Sequence, residues 1–282
     1  MNTRIALFSD IHGNTTAFDA VIADSQKENI DEYWILGDVI MHGSGSTEIF
    51  DRIYDLNPTV WVKGNWDDLF LYIYSKKEVD MNDPSDVFIA KLGIDLLSKM
   101  SEKNINDLEN LPLNITKNIN GLTISVSHNL PNKNYGRDLL PTEKQENFDA
   151  LFESPDIDMA IYGHIHHQML KYSSSEQLII NPGSVGYPFC FNKNLRKKGY
   201  SQYAILEIDS EGVPQVNFKQ VEYDVDQEIE TAINSELPYI DVYKKLLEEG
   251  TSKVHDNDFL KEIELRHNYR TEVHDYINCK NN

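Results

Sequence analysis

The first sixty-odd residues repeat one unit: a short apolar run, a small polar turn, then apolar residues at helical spacing. The run 5–8 leads into Ser9-Asp10-Ile11-His12-Gly13-Asn14, followed by Phe18, Val21 and Ile22. The run 33–36 leads to Gly37-Asp38 and a stripe of Ile49, Ile53 and Leu56, and the run 59–62 leads to Lys63-Gly64-Asn65. Continuous apolar runs alternating with helices predict a largely parallel sheet covered on its faces. In such a sheet the functional side chains sit in the loops at the carboxyl ends of the strands.

A helix is expected from Asp83-Pro84 to about Met100, with Asp83 as cap, Pro84 in the first turn, and Val87, Phe88, Lys91, Leu92 and Leu96 on one side. Beyond it, runs at 113–118 and 122–127 flank Asn120-Gly121, a hairpin signal. Runs at 159–162, 168–172, 178–180, 203–208 and 213–221 predict further strands of a second sheet. From residue 224 the period is helical again, with a short stripe of Ile229, Ile233 and Leu237 and a longer one of Phe259, Ile263, Tyr269, Val273 and Ile277. The expected organisation is an α/β (α+β) domain over residues 1–223, two packed sheets flanked by helices, and a helical extension over 224–282 packed on its own domain or on a second subunit.

Charge narrows the function. The 282 residues carry a formal net charge of −20, and residues 207–282 alone hold 18 acidic against 8 basic side chains. Such a surface repels a duplex phosphate backbone, so a small anionic substrate needs local compensation from metal ions or a few cations. The two cysteines, Cys190 and Cys279, form neither a disulfide framework nor a zinc motif. The run 5–8 is too short for a signal-peptide core, and no stretch approaches the ~18 apolar residues of a membrane span. A cytoplasmic protein without membrane association is expected.

Asp10-x-His12, Gly37-Asp38, Gly64-Asn65, His128 and Gly163-His164-Ile165-His166 each follow an apolar run. Singly, these motifs are also caps and turns. Together they place carboxylate, imidazole and amide oxygen in converging loops, a ligand set for two ions of manganese, iron, zinc or nickel. On a regular strand His164 and His166 would share a side, and His167 would face away and is excluded as a ligand.

The ordered set resembles the calcineurin-like metallophosphoesterase superfamily, whose pattern is D-x-H, G-D, G-N-H-D/E, H and G-H-x-H. The likeness runs from residue 3 to about 221, with 28 residues from Asp10 to Asp38 and 27 from Asp38 to Asn65. It implies a four-layer αββα fold and a binuclear centre. Asp10, His12 and His166 would hold one ion and Asn65, His128 and His164 the other, with Asp38 bridging. Asp38, Asn65 and His128 would be the catalytic core, with manganese as the first metal to test and iron the second.

Trp66 departs from the pattern, standing where most members have a histidine that protonates a leaving alkoxide. Indole has no such proton to give. Its alternatives are a core aromatic opening a helix with Leu69, Leu71 and Ile73, or a stacking face for a base beside a phosphoanhydride that needs no acid. Residues 9–17, Gly64-Asn65-Trp66, 130–137 and Asn181-Pro182-Gly183-Ser184 are similar to the streptococcal-type asymmetric diadenosine tetraphosphate hydrolases, which implies a nucleotide substrate cleaved to ATP and AMP. Asn14 would orient a phosphoryl oxygen or cap a helix. Lys133, Tyr135 and Arg137 follow His128 in a loop that is either solvated surface or a cation and an aromatic suited to phosphate and base; the basic cluster of Lys193, Arg196, Lys197 and Lys198 reads first as a solvated loop, with receipt of a polyphosphate tail as its alternative. The rival readings are a phosphodiesterase or nuclease on small diesters, and a non-catalytic metal-bearing interaction module. A monomer and a homodimer both remain open.

Overall fold

Alternation along the first strand decides how the layers stack. In the computed structural model, which describes residues 1–279 apart from 191, 193 and 196, β1 (Thr3–Phe8) turns Ile5 and Leu7 to one side and Ala6 and Phe8 to the other. Lys193 and Arg196 therefore lie outside the described residues. The chain continues through α1 (Thr15–Ser25), β2 (Glu32–Ile35), α2 (Thr47–Leu56), β3 (Val60–Trp61), α3 (Asn65–Tyr74), α4 (Pro84–Leu97) and α5 (Glu102–Asn110). Next come β4 (Asn114–Ile119), β5 (Leu122–Ser127), α6 (Gln145–Asp149), β6 (Met159–Tyr162), β7 (Gln168–Tyr172) and β8 (Leu178–Pro182). The last elements are β9 (Tyr200–Ile208), β10 (Pro214–Glu222), α7 (Val225–Asn234), α8 (Ile240–Glu249), α9 (Asn257–Arg266) and α10 (Tyr269–Asn278).

One sheet has the order β10-β9-β1-β2-β3 and the other β4-β5-β6-β8-β7. β1, β2 and β3 are parallel, as the repeating unit requires. The assignment of residues 203–208 and 213–221 to the second sheet is corrected: β9 pairs antiparallel with β1, Ile5 opposite Leu206, and β10 pairs with β9. Apolar content is equally satisfied by either sheet, so only the pairing settles it.

The inner faces meet through Ile5, Leu7, Trp34 and Leu36 against Ile124, Val126, Ile161 and Ile180. On the outer face of the first sheet, Ala6, Phe8, Ile35 and Ile205 pack beneath helices, whereas Ala160, Tyr162 and Ile179 of the second sheet are covered by Leu139, Phe148 and Leu151. The result is an αββα sandwich with a C-terminal helical appendage.

Asp83 caps α4 through the Ser85 N–H, with Pro84 as its first residue. The appendage packs within the chain. Val225, Ile229, Tyr239, Tyr243, Leu246 and Ile263 join the same buried cluster as Phe8 and Phe18, and Val273 packs with Ile73, Val87 and Ala90 of α3 and α4. Two details differ from the pattern: Ile233 is exposed, the inner face of α7 being Val225, Ile229 and Ala232, and the longer stripe is two helices parted at His267 and Asn268. Among the described residues, no helix is long and apolar enough to cross a membrane.

Candidate metal centre

The loops after β1, β2, β3, β5 and β6 meet at one end of the sandwich. Their side chains form two groups, Asp10 with His12 and His166, and Asp38 with His128 and His164, each with potential ligand atoms within 4.8 Å of one another. Asn65, the first residue of α3, brings Oδ1 to 3.2 Å from His128 Nε2. All seven candidate ligands are thus together.

The backbone is bent to do this. Asp10 (φ 55°), His12 (52°), Asp38 (51°), His164 (65°) and His166 (56°) are all left-handed, a conformation unfavourable for any residue with a Cβ. This corrects the strand argument for the histidine pair, because residues 163–167 form a loop and the side chains are aimed by backbone bends, not by strand alternation. Gly64 is required by contact: a Cβ there would lie 2.1 Å from both the backbone nitrogen and Oδ1 of Asp38.

Each imidazole is anchored by one nitrogen on a backbone carbonyl. His12 Nδ1 lies 2.5 Å from Met41 O, His128 Nδ1 2.6 Å from Leu36 O, His166 Nδ1 2.9 Å from Tyr187 O and His164 Nε2 2.7 Å from Gly136 O. A donated N–H leaves the other nitrogen with a bare lone pair, the tautomer a metal requires. His12 Nε2 and His166 Nε2 face each other at 3.2 Å, an arrangement that repels unless a cation or proton lies there.

The carboxylates complete the argument. Asp10 Oδ2 accepts from Ser9 Oγ (2.5 Å) and the His164 N–H (3.0 Å), whereas Oδ1 is buried without a hydrogen-bond partner among the described residues, 3.1 Å from His166 Nε2, 3.7 Å from His12 Nε2 and 3.9 Å from His128 Nε2. Asp38 Oδ1 accepts from the Trp66 N–H (2.7 Å), and Oδ2 faces His128 Nε2 (3.2 Å) and His12 Nε2 (3.6 Å), one nitrogen from each group. Burial opposes ionisation of Asp10, but His166, His12 and His128 outweigh it and hold the carboxyl well below its ordinary range. Burial likewise opposes charge on His128, yet Asp38 and Asp10 raise it to about 10. Two buried carboxylates thus make this pocket favour positive charge.

Three residues escaped the sequence reading. Asp67 accepts from the N–H groups of Asp38 (3.0 Å), Val39 (3.1 Å) and Gly64 (2.8 Å), binding two ligand loops together, and burial beside Asp38 raises it to about 7. Its position is the acidic one of the G-N-H-D/E pattern, so a signal existed. His42 and Tyr187 carried none. His42 is buried beside Trp66, and burial with His12 and His166 nearby holds it well below its ordinary value; Tyr187 covers His12 and His166 at ring distances of 4.5 and 4.6 Å.

Of the other expected residues, Asn14 caps α1 through the Ala17 N–H, and its amide donates to Gly186 O and Tyr223 Oη, so its buried side chain is occupied within the protein. Lys133 pairs with Asp138 at 2.7 Å and lies 5.2 Å from the exposed Tyr135 ring; Arg137 is exposed on the same loop. Asn134 ties that loop to Gly64 O and Asp68. Asn181 donates to Gly163 O, supporting the turn that carries His164.

Residues 3–211 match the description of a calcineurin-like phosphoesterase superfamily domain. The chain belongs to the calcineurin-like phosphoesterase superfamily. Over 251 residues it is 28% identical to the uncharacterized protein MJ0912 of Methanocaldococcus jannaschii, covering 84% of this chain and 95% of that one. Its fold is similar to that of the hypothetical protein PH1004 of Pyrococcus horikoshii (TM-score 0.70, 20% identity, 89% of this chain and 99% of the other). It is also similar to a metallophosphoesterase of Sphaerobacter thermophilus (TM-score 0.63, 24% identity, 87% and 99%). The orphaned Asp10 Oδ1, the opposed imidazole nitrogens and the anchored tautomers fit two ions, and this phosphoesterase is a binuclear metal-dependent hydrolase.

Proposed function

We propose that this phosphoesterase cleaves nucleotide phosphoanhydrides, diadenosine tetraphosphate giving ATP and AMP. The supporting observation is Trp66. It opens α3 beside the centre, its backbone N–H holds Asp38, and its half-buried ring lies 6.2 Å from that of His12, where a histidine would serve an alkoxide. A phosphate leaving group needs no such donor, while an indole beside the reacting phosphorus offers a face to a base.

When bound, the two ions supply Lewis-acid charge and an acidified water as nucleophile. Asp10, His12 and His166 would hold one, Asn65, His128 and His164 the other, and Asp38 would serve both. The exposed Tyr135 ring, with Lys133 and Arg137 on the loop that Gly136 joins to His164, supports recognition of the remaining phosphates and the second base.

The test is a nucleotide panel with Mn²⁺-loaded protein, products separated by chromatography. AMP and ATP in equal amounts from diadenosine tetraphosphate are expected. Two ADP per substrate would overturn the asymmetric cleavage, and an untouched dinucleotide beside a cleaved aryl diester would favour the general phosphodiesterase.

A further inference from the structure

His42 belongs to none of the ligand motifs, yet four aromatic side chains of the site surround it. Its ring centroid is 4.0 Å from that of Trp66, 5.4 Å from those of His12 and Tyr187, and 6.1 Å from Phe88, on which it stacks at 28°. The Tyr187 hydroxyl lies 2.8 Å from Nδ1, whereas Nε2 is buried with no partner among the described residues. A single hydrogen bond therefore sets the rotation of the ring. The segment that carries it is braced on the centre, since Met41 O anchors His12.

We propose that His42 is a positioning residue for Trp66: held by Tyr187 and backed by Phe88, it fixes the indole as a wall of the substrate cleft and so sets discrimination between base-bearing and base-free substrates. The physical reason is the asymmetry of the indole's support. Its backbone is fixed by Asp38, but its ring stands at the start of a helix, half-buried, with His42 as its nearest aromatic neighbour. A stacking face is useful to a ligand only if its orientation is set beforehand, because ordering it on binding consumes affinity. The Tyr187 hydroxyl bonds His42 while its ring packs on His12 and His166, so the indole and that histidine pair share one contact.

The substrate arm of this inference rests on the nucleotide reading above; the conformational arm does not. His42→Phe and Tyr187→Phe keep the rings and remove the hydrogen bond. Each is expected to lower kcat/KM for diadenosine tetraphosphate relative to that for an aryl phosphodiester by about five-fold, the low end of what loss of one base stack costs, chiefly through KM. The double variant should lose no more than either single, and in a Trp66→Ala background His42→Phe should not change the ratio further. Independently, in a Trp61→Phe background, where Trp34 is fully buried and Trp66 is the accessible indole, His42→Phe should increase acrylamide quenching of fluorescence. Additive effects in the Trp66→Ala background, or quenching that does not change, would overturn the inference. Wild-type protein that leaves the dinucleotide intact while His42→Phe still loosens Trp66 would reject the substrate and uphold the positioning.

Discussion

Glu228 of the C-terminal extension accepts a hydrogen bond at 3.0 Å from the backbone N–H of Thr16, in the first turn of the helix that follows the Asp10 and His12 loop. Its other oxygen accepts from the Tyr243 hydroxyl at 2.9 Å, and the residue is fully buried. The extension thus grips the element that begins where the ligand loop ends. Burial raises the Glu228 pKa despite these donors. A carboxyl whose folded pKa lies above its unfolded value stabilises fully only below the unfolded value, and that contribution is lost as pH rises through the folded one. Glu228→Gln should therefore gain in Tm relative to the wild type as the pH rises from below the ordinary glutamate value, at about pH 4, to pH 8. An equal difference at both pH values would refute this.

Asp38→Asn removes a carboxylate that faces a nitrogen of each ligand group. A folded protein with little bound metal and almost no hydrolysis is expected, read by elemental analysis and turnover after loading with Mn²⁺. Two ions retained at full activity would contradict the spanning role.

Asp67→Asn exchanges an acceptor of three backbone N–H groups for one that brings an N–H of its own. The substitution should weaken metal binding by about 10- to 100-fold, as loss of partners behind metal ligands typically does, measured by competition with a chelator.

Trp66→Ala should raise KM for dinucleotides by the equivalent of ~1–3 kcal/mol while scarcely affecting inorganic polyphosphate. Trp66→His should shift the preference towards alkyl monoesters, where acid assistance is typically worth ~10²–10⁴-fold. Uniform loss on a dinucleotide, an aryl diester and an alkyl monoester would reduce Trp66 to a packing residue.

Truncation after Tyr223 would strip Val225, Ile229, Tyr239, Tyr243, Leu246, Leu260 and Ile263 from the cluster that covers the first sheet. Each buried apolar side chain of this size is worth roughly 1.5–3 kcal/mol, so their sum is comparable to the whole ~5–15 kcal/mol by which domains are stable. The shortened chain should be insoluble on expression; a soluble product with an unchanged circular dichroism melt would show the extension to be separable.

The centre was legible because its chemistry sits directly after apolar runs: Asp10, Asp38, Asn65, His128 and the histidine pair could be placed before any coordinate was known. Their geometry was not, since a side-chain period says where a strand residue points and nothing about a left-handed loop residue. The sheet that receives β9 and β10 was illegible for a related reason, as the burial of Leu206 and Ile208 is satisfied on either sheet. His42 gave no signal because its neighbours in sequence, Gly43, Ser44 and Gly45, read as an ordinary turn. Its setting arises only when that segment folds back over His12. The helix α8 was missed between two stripes, although Val242, Tyr243, Leu246 and Leu247 are all buried.

The five left-handed ligand residues carry a consequence for protein engineering. Each non-glycine residue held there costs about 1 kcal/mol or more, a sum comparable to much of a domain's net stability. Glycine at His164 or His166 would relieve that strain while deleting a ligand. A campaign that selects variants for heat resistance alone would accordingly favour the loss of catalysis, and libraries of this enzyme need an activity screen at every round to keep the centre from being traded away.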